Sequence, residues 1–263
     1  MRVLFIGDIV GKTGRRMISE KVRGLRKSLS IDLVVANGEN SAGGNGITHD
    51  VLDELLSMGI DVLTSGNHIF DKKEVFDFID DVPQLLRPIN LPEETPGRGY
   101  VIVSPGGVPV AVVSLAGRSF MPFQYYDPFV AMETLLARVQ GEAFIVLVDF
   151  HAETTSEKAA MAWFLDGKVG AVVGTHTHVQ TADERILPKG TAFLTDLGMT
   201  GPLDSILGVK TDIVIKRMRT QMPIRFDTAQ GTGQFGALVV DIDPGNGHAV
   251  SIERIFIREG VPS

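Results

Sequence analysis

The chain has 263 residues, 44% hydrophobic and 22% charged, enough apolar material for a sizeable core and too much for a disordered polymer. A formal net charge of −7, from 25 basic and 32 acidic residues, argues against a long nucleic acid as partner, and the lack of cysteine excludes disulfides and thiolate metal sites. The apolar runs fall far short of the roughly 20 residues that span a bilayer, and no basic-then-apolar leader precedes the first strand pattern, so the expectation is a cytoplasmic protein with no membrane partner.

The first third alternates strand and helix patterns. Val3–Ile6 reads as a strand, and Ile18, Val22, Leu25 and Leu29 lie on one face of a following helix. Its basic cluster, Lys12 to Lys27, is interrupted by Glu20 and reads as a solvated helix face. A Leu33–Ala36 strand leads through Gly43-Gly-Asn-Gly46 to Thr48, the N-cap of a helix burying Val51, Leu52, Leu55 and Leu56. Val62–Thr64 is a third strand and Asp71–Ile79 a further helix.

Strands Tyr100–Val103 and Pro109–Leu115 are joined by the turn Ser104–Gly107, and a helix near Pro128–Val139 precedes a Phe144–Val148 strand. Thr154-Thr-Ser-Glu157 has the capping-box pattern that opens a helix carrying Trp163 and Phe164. Short segments follow at Arg185–Leu187 and Thr191–Leu194, then a helix near Val209–Thr220. Two alternating strands, Ala237–Ile242 and Val250–Ile257, flank the hairpin turn Asp243–Gly247. No stretch resembles a linker, so residues 1–263 are expected to form one domain, with a mixed sheet or two sheets flanked by helices.

Two glycine-rich segments imitate phosphate loops. Gly7-Asp-Ile-Val-Gly-Lys-Thr13 is one residue short of the nucleoside-triphosphate motif, whose geometry depends on that length. Gly231-Thr-Gly-Gln-Phe-Gly236 fits a dinucleotide-binding pattern but leads into a strand, which offers no helix N-terminus to a pyrophosphate, and reads as a turn.

Five strand-like runs end in metal-compatible side chains: Asp8, Glu39-Asn40, Asn67-His68, His151, and His176-Thr-His178. Ligands bind beyond the carboxyl ends of strands in open α/β sheets, so these oxygen and imidazole donors point to one shared site. Glu39 can bridge two ions, one on each oxygen; Asp8 suits one ion and the neutral carbonyl of Asn67 the other. Each has a bland alternative. Asp8 can cap the next helix, Glu39-Asn40 and Asn67 can satisfy loop backbone, and a lone His151 is more often a rim histidine than a ligand. These alternatives are nearly independent and together explain the set poorly. His49 and His248 read as surface residues.

Gly7-Asp8, Gly66-Asn67-His68 and Gly174-Thr-His176-Thr-His178, with the lone His151 in order between the last two, resemble the calcineurin-like metallophosphoesterase superfamily. Val10 stands where that superfamily's first motif carries a histidine, and Gly38-Glu39-Asn40 departs from its second. Those variants, with Thr195–Gly201, resemble a bacterial branch associated with 2′,3′-cyclic-nucleotide phosphodiesterases. The resemblance implies a four-layer α/β/β/α sandwich and two divalent ions, Fe or Mn ahead of Zn. One would be held by Asp8, Glu39, Asn40 and His178, the other by Glu39, Asn67, His151 and His176.

Such a site is expected to hydrolyse small phosphodiesters such as 2′,3′-cyclic AMP, by attack of a hydroxide shared between the ions. His68 is the expected general acid, since adjacent side chains diverge and imidazole titrates near neutrality. Asp71 either orients His68 or starts the next helix. A base-stacking aromatic is sought in the Phe120–Phe129 stretch, at Tyr125 or Tyr126, which serves equally as core or as the contact of a homo-oligomer. The alternatives are a metal-binding regulatory or partner-binding protein with little turnover, a phosphomonoesterase, and an unrelated amidohydrolase, whose usual early His-x-His is missing.

Overall fold

The computed structural model describes residues 1–260. One sheet holds β1 (Arg2–Ile6), β2 (Asp8–Ile9), β3 (Leu33–Asn37), β4 (Val62–Thr64), β11 (Met199–Pro202), β12 (Gly233–Ile242) and β13 (Ala249–Arg258). Its order is β2-β11-β12-β1-β3-β4, with β13 on the other edge of β12. The second sheet has β5 (Tyr100–Val103), β6 (Val110–Ala116), β7 (Ile145–His151), β8 (Ala171–Thr175), β9 (Arg185–Ile186) and β10 (Ala192–Leu194) in the order β5-β6-β7-β8-β10-β9. Five helices accompany them: α1 (Gly11–Ser28), α2 (His49–Ser57), α3 (Pro128–Val139), α4 (Thr155–Leu165) and α5 (Thr211–Thr220).

Side-chain alternation along the strands generates the layering. In β1, Leu4 and Ile6 face Met17, Ile18 and Val22 of α1 and Leu52 and Leu55 of α2. Val3 and Phe5 face the other way and meet Val110, Val112, Ile145 and Leu147 of the second sheet. The outer face of that sheet, with Val113, Val148 and Phe150, packs on Met132 and Leu135 of α3 and Met161 and Leu165 of α4. Three apolar layers thus separate helices, sheet, sheet and helices, the expected α/β/β/α sandwich. Strands buried on both faces explain the uninterrupted apolar runs.

β1, β3 and β4 are mutually parallel, as are β6, β7, β8 and β10. Their carboxyl ends therefore emerge along common edges.

Several expectations shift. The helix expected at Asp71–Ile79 is only a short 3-10 turn, Lys73–Asp77. Asp71 is engaged instead by His68 Nδ1 and by Asn45 Nδ2, each at 2.8 Å. Thr154 caps α4 by accepting the Glu157 N–H, but the Glu157 carboxylate accepts the Arg118 and Ser119 N–H groups at 2.9 and 3.1 Å, so the reciprocal half of the capping box is not made. The Phe144–Val148 strand runs as Ile145–His151, and the helix near Val209 begins at Thr211. Thr48 caps α2 through Val51 N as expected.

The first phosphate-loop imitation is strand at Asp8 and Ile9, which pair with Met199 and Thr200 of β11, and enters α1 at Gly11. The second is not simply a turn, because β12 begins within it at Gly233. The basic face of α1 is ion-paired locally, Arg15 with Glu54, Arg16 with Glu259 and Arg26 with Asp61.

Phe5 is 1% exposed between the sheets. Phe5→Ala is expected to cost about 3–5 kcal/mol by transfer loss plus cavity formation, read from chemical denaturation. A cost below about 1 kcal/mol would show that the sheets are not close-packed there.

Candidate metal centre

The parallel strand ends deliver the donors. Asp8 follows β1, Glu39 and Asn40 follow β3, Asn67 follows β4, His151 ends β7, and His176 and His178 follow β8. His151 is paired in register with Thr175, so His176 lies one step beyond it on the neighbouring strand end.

His151 Nε2 lies 3.0 Å from Glu39 Oε1, 3.1 Å from Asn67 Oδ1 and 3.0 Å from His176 Nδ1. Asp8 Oδ1 is 3.6 Å from His178 Nε2, and Asn40 Nδ2 is 3.4 Å from Asp8 Oδ1, 3.4 Å from Glu39 Oε1 and 3.3 Å from His178 Nε2. Donor atoms of Glu39, His151 and His176 all fall within 4.8 Å of one another. The structure thus brings together seven of the eight strand-end residues, all but His68, in two adjoining groups that share Glu39.

The motif glycines are required by close approach. A Cβ on Gly66 would sit 2.0 Å from His151 Cδ2, and one on Gly7 would sit 1.9 Å from the Gly198 carbonyl oxygen. Any larger residue would push the following donor out of place.

The far nitrogen of each clustered histidine meets a hydrogen-bond acceptor. His151 Nδ1 donates to Thr175 Oγ1 at 2.9 Å, whose own proton goes to Asp149 at 2.7 Å. His176 Nε2 is 3.0 Å from a Glu153 carboxylate oxygen, and His178 Nδ1 donates to the Leu207 carbonyl at 3.0 Å. With a metal bound, each far nitrogen would keep its hydrogen and each near nitrogen would present a lone pair to the cluster, the arrangement of metal-ligating imidazoles.

The electrostatics fit a cation as well. Asp8 and Glu39 are 0% and 1% exposed, and among the described residues no Lys or Arg forms a salt bridge to either. Burial alone would raise both carboxyls. His178 beside Asp8 and His151 beside Glu39 outweigh it and hold both below the ordinary range. Burial likewise disfavours charge on His151, yet Glu39 and Asp8 push its pKa up to about 9. His176 is lowered to about 4 by burial and by the positive charge of His151. Burial likewise works against charge on His178, but Asp8 raises its pKa.

Sequence reasoning missed the supporting groups. Burial raises Asp149 to about 6 against hydrogen bonds from Thr175 and Thr64, and Asn37 Nδ2 also reaches it at 3.1 Å. Its signal was a carboxylate inside an otherwise apolar strand. Lys158, 1% exposed, bonds Asp196 Oδ2 at 2.7 Å, and the same oxygen accepts the Thr177 N–H at 3.1 Å and its hydroxyl at 2.5 Å. That pair clamps the turn in which His176 and His178 adopt φ of 96° and 63°.

His68 stands apart from the cluster. Its backbone N–H donates to Glu39 Oε2 at 3.1 Å, while its side chain, 39% exposed, is held through Nδ1 by Asp71 at 2.8 Å. It lines a cleft of about 920 Å³ with Glu39, Asn40, Glu153, His176 and His178. Tyr125 is buried and Tyr126 exposed, and neither lines this cleft. His49 and His248 are exposed, as expected.

Two mixed sheets between helices, with a hard-donor cluster at the strand ends, make this a metallophosphoesterase, a fold that implies divalent metal ions. More narrowly, the YmdB-like protein family matches residues 4–255, and the chain belongs to it. It is 51% identical over 259 residues to the 2′,3′-cyclic-nucleotide 2′-phosphodiesterase of Bacillus subtilis (strain 168), covering 98% of each chain. Among solved structures, a hypothetical protein from Thermus thermophilus superposes with a TM-score of 0.93 at 41% identity, covering 98% of this chain and 100% of that one. A phosphatase from Mycoplasma pneumoniae gives 0.92 at 31% identity, covering 98% and 93%.

Metal ligation must expel the proton that Glu39 and Asp8 hold on His151. With that pKa at about 9, metal-free protein is protonated there at pH 7, so Mn²⁺ binding is expected to release protons. Affinity should strengthen by about tenfold per pH unit per proton released, levelling off above the His151 pKa. Calorimetry in buffers of different ionisation enthalpy measures this; binding without proton release at pH 7 contradicts it.

Proposed function

We propose that the protein is a dinuclear-metal phosphodiesterase acting on small cyclic nucleotides such as 2′,3′-cyclic AMP. The observation that carries this reading is the pinning of three histidines by their far nitrogens, so that their near nitrogens converge with Asp8, Glu39, Asn40 and Asn67. We assign one ion to Asp8, Glu39, Asn40 and His178 and the other to Glu39, Asn67, His151 and His176, with Fe, Mn and Zn all compatible with this oxygen and nitrogen set. Bound there, the ions supply Lewis acidity toward phosphate oxygens and an activated water at neutral pH. The 51% identical Bacillus relative, named for 2′,3′-cyclic nucleotides, supports the substrate class.

This chain's residues supply the rest. Lys72, Lys210 and Arg225 line the same cleft and bring positive charge to an anionic diester. Asp71 accepts from His68 Nδ1 and so fixes the ring, leaving Nε2 to hand a proton to the departing sugar oxygen.

Two measurements test this reading. The metal-loaded protein should cleave bis-p-nitrophenyl phosphate faster than p-nitrophenyl phosphate, with chelator abolishing both; cleavage of a p-nitrophenyl carboxylate ester but no phosphodiester contradicts it. His68→Ala should keep both metals and lose roughly 10²–10⁴-fold on substrates with poor leaving groups, but far less on p-nitrophenyl diesters, whose leaving group scarcely needs a proton. Equal losses on both, or loss of a metal, would remove His68 from that role.

A further inference from the structure

One wall of the cleft is formed by the connection between α5 and β12. Histidines aside, its one aromatic lining residue is Phe226, among the described residues. The ring is 45% exposed, and the Arg217 guanidinium sits over it, 4.5 Å from the centroid. One cation covers at most one face. Phe226 lines the cleft together with Val10, Leu207 and Val209, so apolar ring surface is available beside its charged groups.

This wall is fixed relative to the metal centre. Lys210 N donates to the Asp227 carbonyl at 3.0 Å, Ala229 N donates to the Gly208 carbonyl at 2.9 Å, and Val209 forms a bridge with Thr228. The Ile206–Lys210 loop anchored in this way also supplies the Leu207 carbonyl that pins His178. Phe226 thus adjoins residues tied through one short loop to a histidine of the cluster.

A planar apolar face beside Lys210 and Arg225 suits a ligand that carries both an aromatic ring and a negative charge. We propose that the open face of Phe226 stacks the nucleobase of the substrate, making the α5–β12 connection the element that selects base-bearing cyclic phosphates over simple diesters. The proposal rests on the phosphodiesterase reading for its substrate. It moves the stacking role from Tyr125 or Tyr126, where the sequence suggested it, to a residue without sequence signal.

The test compares 2′,3′-cyclic AMP with the methyl riboside 2′,3′-cyclic phosphate, the same reacting ring without a base, on the Mn²⁺-loaded protein. Stacking predicts that the wild type favours the adenosine substrate through KM by roughly 5- to 100-fold. Phe226→Ala should close that gap and Phe226→Trp should keep it. Calorimetric binding of 3′-AMP gives a readout independent of turnover and should weaken by a similar factor in Phe226→Ala. An undiminished adenosine preference in Phe226→Ala overturns the proposal, as does 3′-AMP that binds both proteins equally or neither. So does a variant that changes only oligomeric mass, which would mark Phe226 as a subunit contact. Phe226-dependent 3′-AMP binding in a protein that hydrolyses no diester would leave this proposal standing and defeat the phosphodiesterase reading.

Discussion

Two carboxylates, Asp8 and Glu39, are buried with no Lys or Arg paired to them among the described residues, and the organisation of the strand ends answers that one constraint. Burying an unpaired carboxylate is costly enough that a protein either neutralises it or supplies a cation. Here the surroundings are imidazoles whose protons are directed outward, to Thr175, Glu153 and Leu207. That leaves the near nitrogens to a cation that arrives from solution and takes the place of the proton that Glu39 and Asp8 hold on His151.

The constraint reaches into the backbone. His176 and His178 occupy left-handed φ, a conformation that costs non-glycine residues about 1–3 kcal/mol each and persists only where the surroundings enforce it. Asp196 enforces it from beneath by gripping Thr177 between them, and Lys158 neutralises Asp196 from α4. Removing either partner would leave the other as a buried unpaired charge. The Thr195–Gly201 segment, first noticed only as a family-like motif, thereby acquires a physical task.

The sandwich and the donor positions were legible because both depend on local pattern. Double-sided burial gives unbroken apolar runs, and a donor directly after such a run is visible without knowing what it meets. The glycine before Asn67 was readable as a motif, while its reason, the His151 ring in the space its Cβ would need, is purely three-dimensional. Glu153, Lys158, Asp196 and the Asp149–Thr175 relay act across distant parts of the chain and leave little local trace. The failed helix at Asp71 has the same origin. The alternation of strand and helix patterns suggested it, but Asp71 was already engaged by His68 and Asn45, which no such pattern encodes. Phe226 was missed because an aromatic in an irregular connection carries no pattern.

The central proposal is a centre for two ions that share Glu39. Its most direct test is anomalous diffraction from crystals of protein loaded with Mn²⁺, with data collected on both sides of the metal edge. Two peaks about 3.5–4 Å apart are predicted, with Glu39 between them, Asp8, Asn40 and His178 on one, and Asn67, His151 and His176 on the other. A single peak, or two peaks that leave Glu39 or His151 unligated, would contradict it.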